Sequence, residues 1–216
     1  KKSMLKAERS VNHLKKAFEN VRVTQITTPR INAFIEDRLS EGMANATINR
    51  ELAALKRMLN LGARQTPPIV DRVPHIPMLE ENNVRTGFFE YDEFLALRDA
   101  LPKYLKGVVT FAYKSGWRVT EITGLKWSNV DLKKRVVCLD IGTTKNKEGR
   151  TMYLDEELMQ VFLDQREQQK NAGQIIPYVF PNSRGNDKAK DFRKAWKTSC
   201  EKIGMPGRLF HDFRRT

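Results

Sequence analysis

Two short segments of the chain carry side chains that could hold an anion. His211 and Arg214 are three positions apart, and on a helical turn such residues face the same way, so both can address one ligand. Arg118 follows Gly116, which breaks one helix, and lies close to the start of the next. A guanidinium beside a helix N-terminus favours a phosphate. Taken alone, however, Arg118 is better explained as a surface arginine paired with Glu121.

The longer patterns around these residues resemble a known family. The segment Gly-Trp-Arg-Val-Thr-Glu-Ile at 116–122, with Leu125 and Trp127 after it, is similar to the first arginine box of the tyrosine recombinases, also called phage integrases. The segment Leu-Phe-His-Asp-Phe-Arg-Arg-Thr at 209–216 is similar to their second box. The resemblance implies a site-specific DNA recombinase that cleaves and rejoins strands through a phosphotyrosine intermediate, without a metal or other cofactor. It also implies double-stranded DNA as the partner and a homotetramer on two DNA sites.

The same resemblance assigns roles to individual residues. Arg118 and Arg214 would neutralise the non-bridging oxygens of the scissile phosphate, and His211 would assist by hydrogen bonding and proton transfer. Glu121 would brace the site without reacting. The catalytic lysine of the family lies on a hairpin, where Lys145 aligns with it and would protonate the departing 5′-oxygen as a general acid.

Neighbouring residues and simpler explanations compete for some of these roles. Lys147 shares the turn with Lys145, and a solvated basic turn would explain both lysines. Arg215 follows Arg214 at a position that is commonly basic in the family without being catalytic. A lone histidine such as His211 is more often structural, so its assignment depends on the whole box.

The nucleophilic tyrosine of the family has no counterpart in this sequence. In the family it lies well downstream of the second arginine box, and here only five residues follow His211. All five tyrosines precede that box, at Tyr91, Tyr104, Tyr113, Tyr153 and Tyr178. We therefore expect these 216 residues to bind DNA without completing strand transfer.

The hydrophobic patterns predict a mainly α protein with a small antiparallel β-sheet, an α+β fold in two domains. Residues 1–66 carry three apolar stripes at helical spacing and are predicted to form a helical, SAM-like core-binding domain. Four prolines crowd the start of residues 67–85, which are predicted to be an extended, semi-rigid linker. The integrase-type catalytic domain is expected over 86–216 and is C-terminally incomplete.

Within the catalytic domain the sequence places a short strand section between helices. Residues 135–141 and 150–154 are typical of strands joined by a polar turn. Two strands alone are marginal, so a third is predicted near 127–132. A basic helix is predicted over 187–202.

Residues 46–56 resemble part of the core-binding domain of the family and offer candidate DNA contacts. Four polar or basic side chains here could lie along a groove: Asn49, Arg50, Lys56 and Arg57. A solvated charged face explains any one of them nearly as well.

Composition favours a polyanionic partner. Lysine and arginine number 39 against 26 acidic residues, for a net charge of +13, and neutralising phosphates releases condensed counterions. No apolar run approaches the length of a membrane span, so no membrane partner is expected. Cys138 and Cys200 are interpreted as reduced core residues, which favours a cytosolic setting. The family resemblance implies the cytoplasm of a bacterial host, in association with the nucleoid. Trp117, Trp127 and Trp196 are predicted to be core rather than base-stacking residues.

Two other functions remain open on sequence alone. A repressor or accessory factor on the same fold would bind DNA without an enzymatic role; four active-site matches in the order of the family argue against it, but the missing tyrosine keeps it open. A metal-dependent nuclease would need carboxylates that show no recognisable ligand spacing, at Asp131, Asp140, Glu148 and Asp155.

Overall fold

The computed structural model describes residues 2–82, 87–139, 149–173 and 176–216. The chain divides into two compact units, unit 1 (residues 1–84) and unit 2 (residues 85–216). Each unit has its own hydrophobic core. No helix of the described residues is both long enough and apolar enough to cross a membrane.

Unit 1 is a small helical domain whose helices bury one apolar stripe each. The stripe of the third helix is fully withdrawn from solvent, from Ile48 and Leu52 to Leu55 and Leu59. Pro29 lies in the first turn of the second helix, where its missing amide hydrogen leaves no intrahelical bond unmade. The helices are α1 (Lys2–Ala17), α2 (Thr28–Ser40) and α3 (Asn45–Ala63).

The proline-rich segment predicted to be a linker packs on unit 1. Val70 and Ile76 are buried in the core of that unit. Asn49 on α3 pairs with Leu79 in both directions, since its amide donates to the Leu79 carbonyl at 2.8 Å and its oxygen accepts from the Leu79 amide at 2.8 Å. The Thr28 hydroxyl donates to the carbonyl of His75. Prolines keep the segment extended, but its apolar side chains are buried in the core of unit 1. Residues 70–79 therefore belong to this domain and do not form a separate linker.

A buried ion pair joins α2 to α3. Arg38 donates from Nε and Nη2 to the two carboxylate oxygens of Glu51, at 3.0 and 2.9 Å. Both side chains are buried, and Arg38 also contacts Glu41 at the end of α2. The hydrogen bond to Glu51 is the foremost cause that raises the pKa of Arg38, against the opposing effect of burial. The pair is thus charged and bidentate, and removal of Arg38 alone would leave the buried Glu51 carboxylate without the guanidinium that binds both of its oxygens.

We predict that Arg38→Ala destabilises unit 1 by about 3–5 kcal/mol, because it leaves the Glu51 carboxylate buried without its partner. Urea denaturation followed by circular dichroism measures the change in the free energy of unfolding. Glu41→Ala is the matched control: its side chain is 56% exposed, and its loss should cost less than about 1 kcal/mol. Similar losses for both variants would contradict the prediction.

Unit 2 is an α+β domain with one three-stranded sheet, which confirms the predicted fold class. The strand order is β1-β2-β3, antiparallel throughout, with Val137 paired to Val130 on one side and Met152 on the other. The described strands are β1 (Val130–Asp131), β2 (Val136–Leu139) and β3 (Arg150–Tyr153). The described helices are α4 (Tyr91–Ala100), α5 (Lys103–Ser115), α6 (Val119–Thr123), α7 (Glu156–Asn171) and α8 (Arg193–Lys202).

Aromatic side chains from distant segments meet in the core of unit 2. Phe213 is 2% exposed and packs against Phe89, Trp196 and Phe210 at centroid distances of 4.6, 5.6 and 5.5 Å. Aromatic pairs at such distances add to the free energy gained by burial. One of the last residues of the chain is therefore anchored deep in the domain.

Two details of unit 2 differ from the sequence-based expectations. The basic helix α8 begins at Arg193 rather than near 187, because the Ala189 amide donates instead to the Phe180 carbonyl at 2.9 Å. Of the two cysteines, Cys200 is buried as predicted, but Cys138 on β2 is exposed. The alternation of the strand places Cys138 on the side opposite its buried neighbour Val137.

The two cysteines should differ sharply in reactivity. Burial raises the pKa of the Cys200 thiol to about 11, so that almost no thiolate, the reactive form, is present there at neutral or mildly basic pH. We predict that iodoacetamide at about pH 8 alkylates Cys138 and spares Cys200 until the protein is unfolded. The number of adducts is read from the intact mass of the wild-type and Cys138→Ser proteins after alkylation. Alkylation of native Cys138→Ser would contradict the prediction.

Candidate active site

The first arginine box lies on the turn between α5 and α6. Gly116 ends α5 with a φ of 59°, in the left-handed region that favours glycine. A Cβ at this position would lie 3.9 Å from the Cα of Arg214, so the turn runs close to the second box. Arg118 occupies the position before α6, and its amide donates to Glu121 Oε2 at 2.9 Å. Its Nη1 donates to the other carboxylate oxygen at 3.0 Å.

The second arginine box forms a 3₁₀ turn, Phe210–Arg214, that is held in place by buried contacts. Asp212 is buried, and its carboxylate accepts the amide hydrogen of Leu209 at 2.8 Å. Gly87 packs so closely here that a Cβ on it would lie 2.7 Å from Asp212 Oδ2. Together with Phe213, these contacts fix the backbone that carries His211 and Arg214.

The two boxes meet around the buried carboxylate of Glu121. Arg118 binds this carboxylate directly, and Nη1 of Arg150, the first residue of β3, lies 3.7 Å from Glu121 Oε2. Arg214 belongs to the same cluster: burial first, and then the charges of Arg118 and Arg150, lower the pKa of its guanidinium, while Glu121 acts in the opposite direction. Two guanidinium groups thus lie within ion-pair distance of one carboxylate, and the third interacts with it electrostatically, so the cluster of these four side chains carries excess positive charge.

One donor of this cluster has no acceptor. Arg214 Nη1 is buried and has no hydrogen-bond partner among the described residues. A buried charged donor without an acceptor is costly, and native proteins rarely leave one in that state. The chemistry that satisfies it is an anion with several acceptor oxygens, and phosphate presents these in the geometry that a guanidinium fork matches.

The Glu121 carboxyl stays ionised in these surroundings. Its burial alone would raise its pKa, but the hydrogen bonds from the Arg118 amide and guanidinium, together with the charges of Arg150 and Arg118, outweigh that effect and lower it. The Glu121 carboxyl is therefore a fixed negative charge beside Arg118 and Arg150 near neutral pH.

The structure brings together only some of the predicted site residues. Arg118, Glu121 and Arg214 lie in one cluster. His211 is exposed and lies on the same turn as Arg214. Lys145, like its rival Lys147, lies outside the described residues.

Arg150 is the member of the cluster that sequence reasoning missed. It was interpreted only as the start of a strand, and nothing in its local pattern distinguishes it from a solvent-facing basic residue. Arg208, which the sequence analysis also did not single out, has a structural role: its guanidinium lies over the ring of Phe89 at 5.7 Å, and its carbonyl accepts the indole hydrogen of Trp196 at 2.8 Å. Trp117 and Trp196 are buried, and Trp127 is packed against the core, as predicted.

Three of the four candidate DNA contacts of unit 1 are accessible. Arg50, Lys56 and Arg57 are exposed on α3, and the seven-residue spacing of Arg50 and Arg57 puts them on one face of the helix. Asn49 requires a correction. It is 5% exposed, and its side-chain amide is fully engaged with Leu79 and Glu81, so it holds residues 79–81 in place instead of lying along a groove.

Comparison with known proteins decides the family. The model of the phage integrase family matches residues 85–216, and the model of the phage integrase N-terminal SAM-like domain matches residues 1–65. The chain belongs to the phage integrase family. Both matched segments are those that the structure assigns to separate compact units.

Curated relatives of this integrase-family chain are distant in sequence. It is 25% identical to an integrase of Salmonella phage P22 over 185 residues, and these cover 80% of this chain and 46% of the relative. It is also 25% identical to a XerC-like tyrosine recombinase of Caldanaerobacter subterraneus subsp. tengcongensis, over 91% of this chain and 60% of that protein. The chain thus spans about half the length of the curated relatives that it matches.

Solved integrase structures share the fold. A lambda integrase (residues 75–356) dimer bound to a COC' core site superposes with a TM-score of 0.76 at 15% identity, over 100% of this chain and 80% of the other. The Tn1549 transposon integrase in complex with transposon right end DNA gives a TM-score of 0.79 at 15% identity, over 100% and 79%. A lambda integrase tetramer bound to a Holliday junction gives 0.75 at 16% identity, over 99% and 62%.

The depressed pKa of Glu121 has a consequence for acid stability. Because the folded-state pKa lies below the ordinary value of 4.5, the ionised carboxylate stabilises the fold above that pH, and the contribution is lost as pH falls through the folded pKa. We predict that Glu121→Gln, measured by urea unfolding between about pH 6 and pH 3, loses less stability on acidification than wild type does. The control variant Glu156→Gln removes a carboxylate whose side chain is 82% exposed, and its stability should change with pH as that of wild type does. Parallel curves for all three proteins would contradict the prediction.

Proposed function

We propose that this chain is the DNA-binding and phosphate-activating part of a site-specific recombinase of the tyrosine type. It would act on double-stranded DNA in the cytoplasm of a bacterial cell, at the nucleoid. The observation that carries the proposal is that Nη1 of Arg214 is buried and has no hydrogen-bond partner in the part of the chain that the structure describes, within a cluster that also holds Arg118 and Arg150. A scissile phosphate would supply the missing acceptor oxygens.

The chemistry proposed for the cluster is electrostatic. Arg118 and Arg214 would each donate to non-bridging oxygens of the phosphate and stabilise the charge that develops in the transition state. Removal of one such donor typically costs about 100- to 1,000-fold in rate. His211, exposed beside Arg214, would donate a hydrogen bond and move a proton, and Lys145 would protonate the leaving 5′-oxygen.

No step of this scheme is assigned to a metal ion. Within the described part of the chain, no three His, Cys, Asp or Glu side chains cluster in a way that could hold one. The guanidinium groups themselves would supply the positive charge that a metal supplies in other phosphoryl-transfer sites.

Duplex DNA is the proposed partner because of the charge of the chain and the exposure of its basic side chains. The net charge is +13, and Arg50, Lys56 and Arg57 lie exposed on α3. Contacts of this kind position a protein on the phosphate backbone rather than read its sequence. The lambda and Tn1549 integrases that share the fold are described in complex with DNA, and lambda integrase also as a tetramer on a Holliday junction. By analogy, the whole protein would act as a homotetramer on two DNA sites.

The nucleophile would come from outside these 216 residues. Every tyrosine of the sequence precedes His211, whereas the order of the family places the nucleophile after it. We therefore propose that this chain binds DNA and positions a phosphate without completing strand transfer.

A salt titration tests the assignment to DNA. We predict that the affinity of the 216-residue chain for a fluorescent random-sequence duplex falls steeply between about 50 and 200 mM NaCl, since bound phosphates release counterions. Fluorescence anisotropy gives the slope of log K against log salt. Arg118→Ala and Arg214→Ala should each weaken binding by less than about tenfold, because each removes one phosphate contact among several. A flat salt dependence would exclude the proposed partner.

The position of the nucleophile has its own test. The chain is incubated with nicked random-sequence duplexes, and the products are resolved under denaturing conditions that preserve phosphotyrosine bonds. We expect duplex binding and no covalent adduct, with or without EDTA. A covalent adduct would show that one of the five tyrosines present acts as the nucleophile. Cleavage that EDTA abolishes would indicate a metal-dependent nuclease.

A further inference from the structure

Arg150 reaches the cluster from a different element than the two arginine boxes. It is the first residue of β3 and pairs with Leu139 of β2. Residues two apart on a strand share a face, so Arg150 lies on the same side as Met152, which packs against the core, and opposite to Tyr153, which is 76% exposed. The sheet therefore directs Arg150 towards the site, and its side chain is only 27% exposed.

The contact between Arg150 and Glu121 is electrostatic rather than a hydrogen bond. Nη1 of Arg150 lies 3.7 Å from Glu121 Oε2, beyond hydrogen-bond distance. Both oxygens of this carboxylate already accept from Arg118, one from its amide and one from its guanidinium. What Arg150 adds at this distance is positive charge next to the carboxylate.

That charge matters because Glu121 works against anion binding. A carboxylate that anchors Arg118 also repels a phosphate bound by Arg118 and Arg214, and a desolvated site screens this repulsion poorly. A second cation beside the carboxylate offsets the repulsion while it leaves the hydrogen bonds between Arg118 and Glu121 intact.

We propose that Arg150 is a positioning residue of the phosphate site, which neutralises Glu121 so that Arg118 and Arg214 keep their full attraction for the anion. The inference rests on the proposed function, because it assumes that the cluster binds phosphate. It assigns to β3 a part in the site that neither arginine box contains.

Inorganic phosphate is the probe, and the melting temperature is measured against phosphate concentration at constant ionic strength set with chloride. A ligand that binds only the folded state raises the melting temperature, and the rise grows with the logarithm of the ligand concentration relative to the dissociation constant. We expect Arg150→Gln to weaken phosphate binding roughly five- to tenfold, and Arg150→Lys to stay within about twofold of wild type, because the effect needs charge and not the guanidinium fork. Lys134→Gln is the matched control: it removes one positive charge beside the same sheet, from a side chain that is 81% exposed, and should leave binding unchanged.

A double-mutant cycle identifies the route through Glu121. In a Glu121→Gln background there is no carboxylate to neutralise, so adding Arg150→Gln should weaken phosphate binding by less than about twofold. If the role of Arg150 were purely structural, Arg150→Gln would destabilise the protein by a similar amount in both backgrounds. Its effect on phosphate binding would then not depend on Glu121.

The outcomes separate this inference from the function on which it rests. If the melting temperature of the wild-type protein does not change with phosphate concentration, both the proposed function and the role of Arg150 are overturned. Phosphate binding by wild type together with equal affinities for Arg150→Gln and Lys134→Gln would overturn the role of Arg150 alone. If Arg150→Gln does not fold, the phosphate affinity of Arg150→Lys decides between the outcomes. A loss of affinity as large as that caused by removal of an arginine donor would contradict a role that depends on charge alone.

Discussion

The burial of one carboxylate next to three guanidinium groups is the constraint on which the site depends. Glu121 holds Arg118 through two hydrogen bonds and lies within ion-pair distance of Arg150. Without this anchor the like charges of Arg118, Arg150 and Arg214 would repel one another in a poorly screened environment. With it, the arginines are held near one another and still carry excess positive charge. The carboxylate thus organises the cluster without taking part in the chemistry proposed for it.

The second requirement is that segments far apart in the sequence meet beside this carboxylate. Arg214 is placed by its neighbours Asp212 and Phe213, which are buried in the domain, while His211 on the same turn remains exposed. Gly116 supplies the left-handed turn by which the first box passes close to the backbone of Arg214. A single short turn therefore combines core packing with site geometry, and the two cannot be altered independently.

The sequence predicted what local spacing encodes and missed what tertiary packing decides. Arg118, Glu121 and Arg214 were found because a helix N-terminus and a three-residue spacing limit where their side chains can lie, and because the longer patterns resemble a family. Arg150 was missed because its partner Glu121 lies on another element. Asn49 was misplaced for the same reason: on a helix it resembles a surface residue, and its partner Leu79 comes from a segment 30 positions away. The start of α8 was misjudged because pairing with Phe180 overrides helix propensity.

The uncompensated charge of the cluster sets a trade-off between folding and function. The cluster is a locally frustrated region, in which like charges and the Arg214 Nη1 donor, buried without a partner among the described residues, oppose the packing around them. Replacement of one of these arginines by an apolar residue could relieve that frustration and raise the melting temperature, while it removes part of the anion site. Selection for thermal stability alone would therefore tend to erode this cluster.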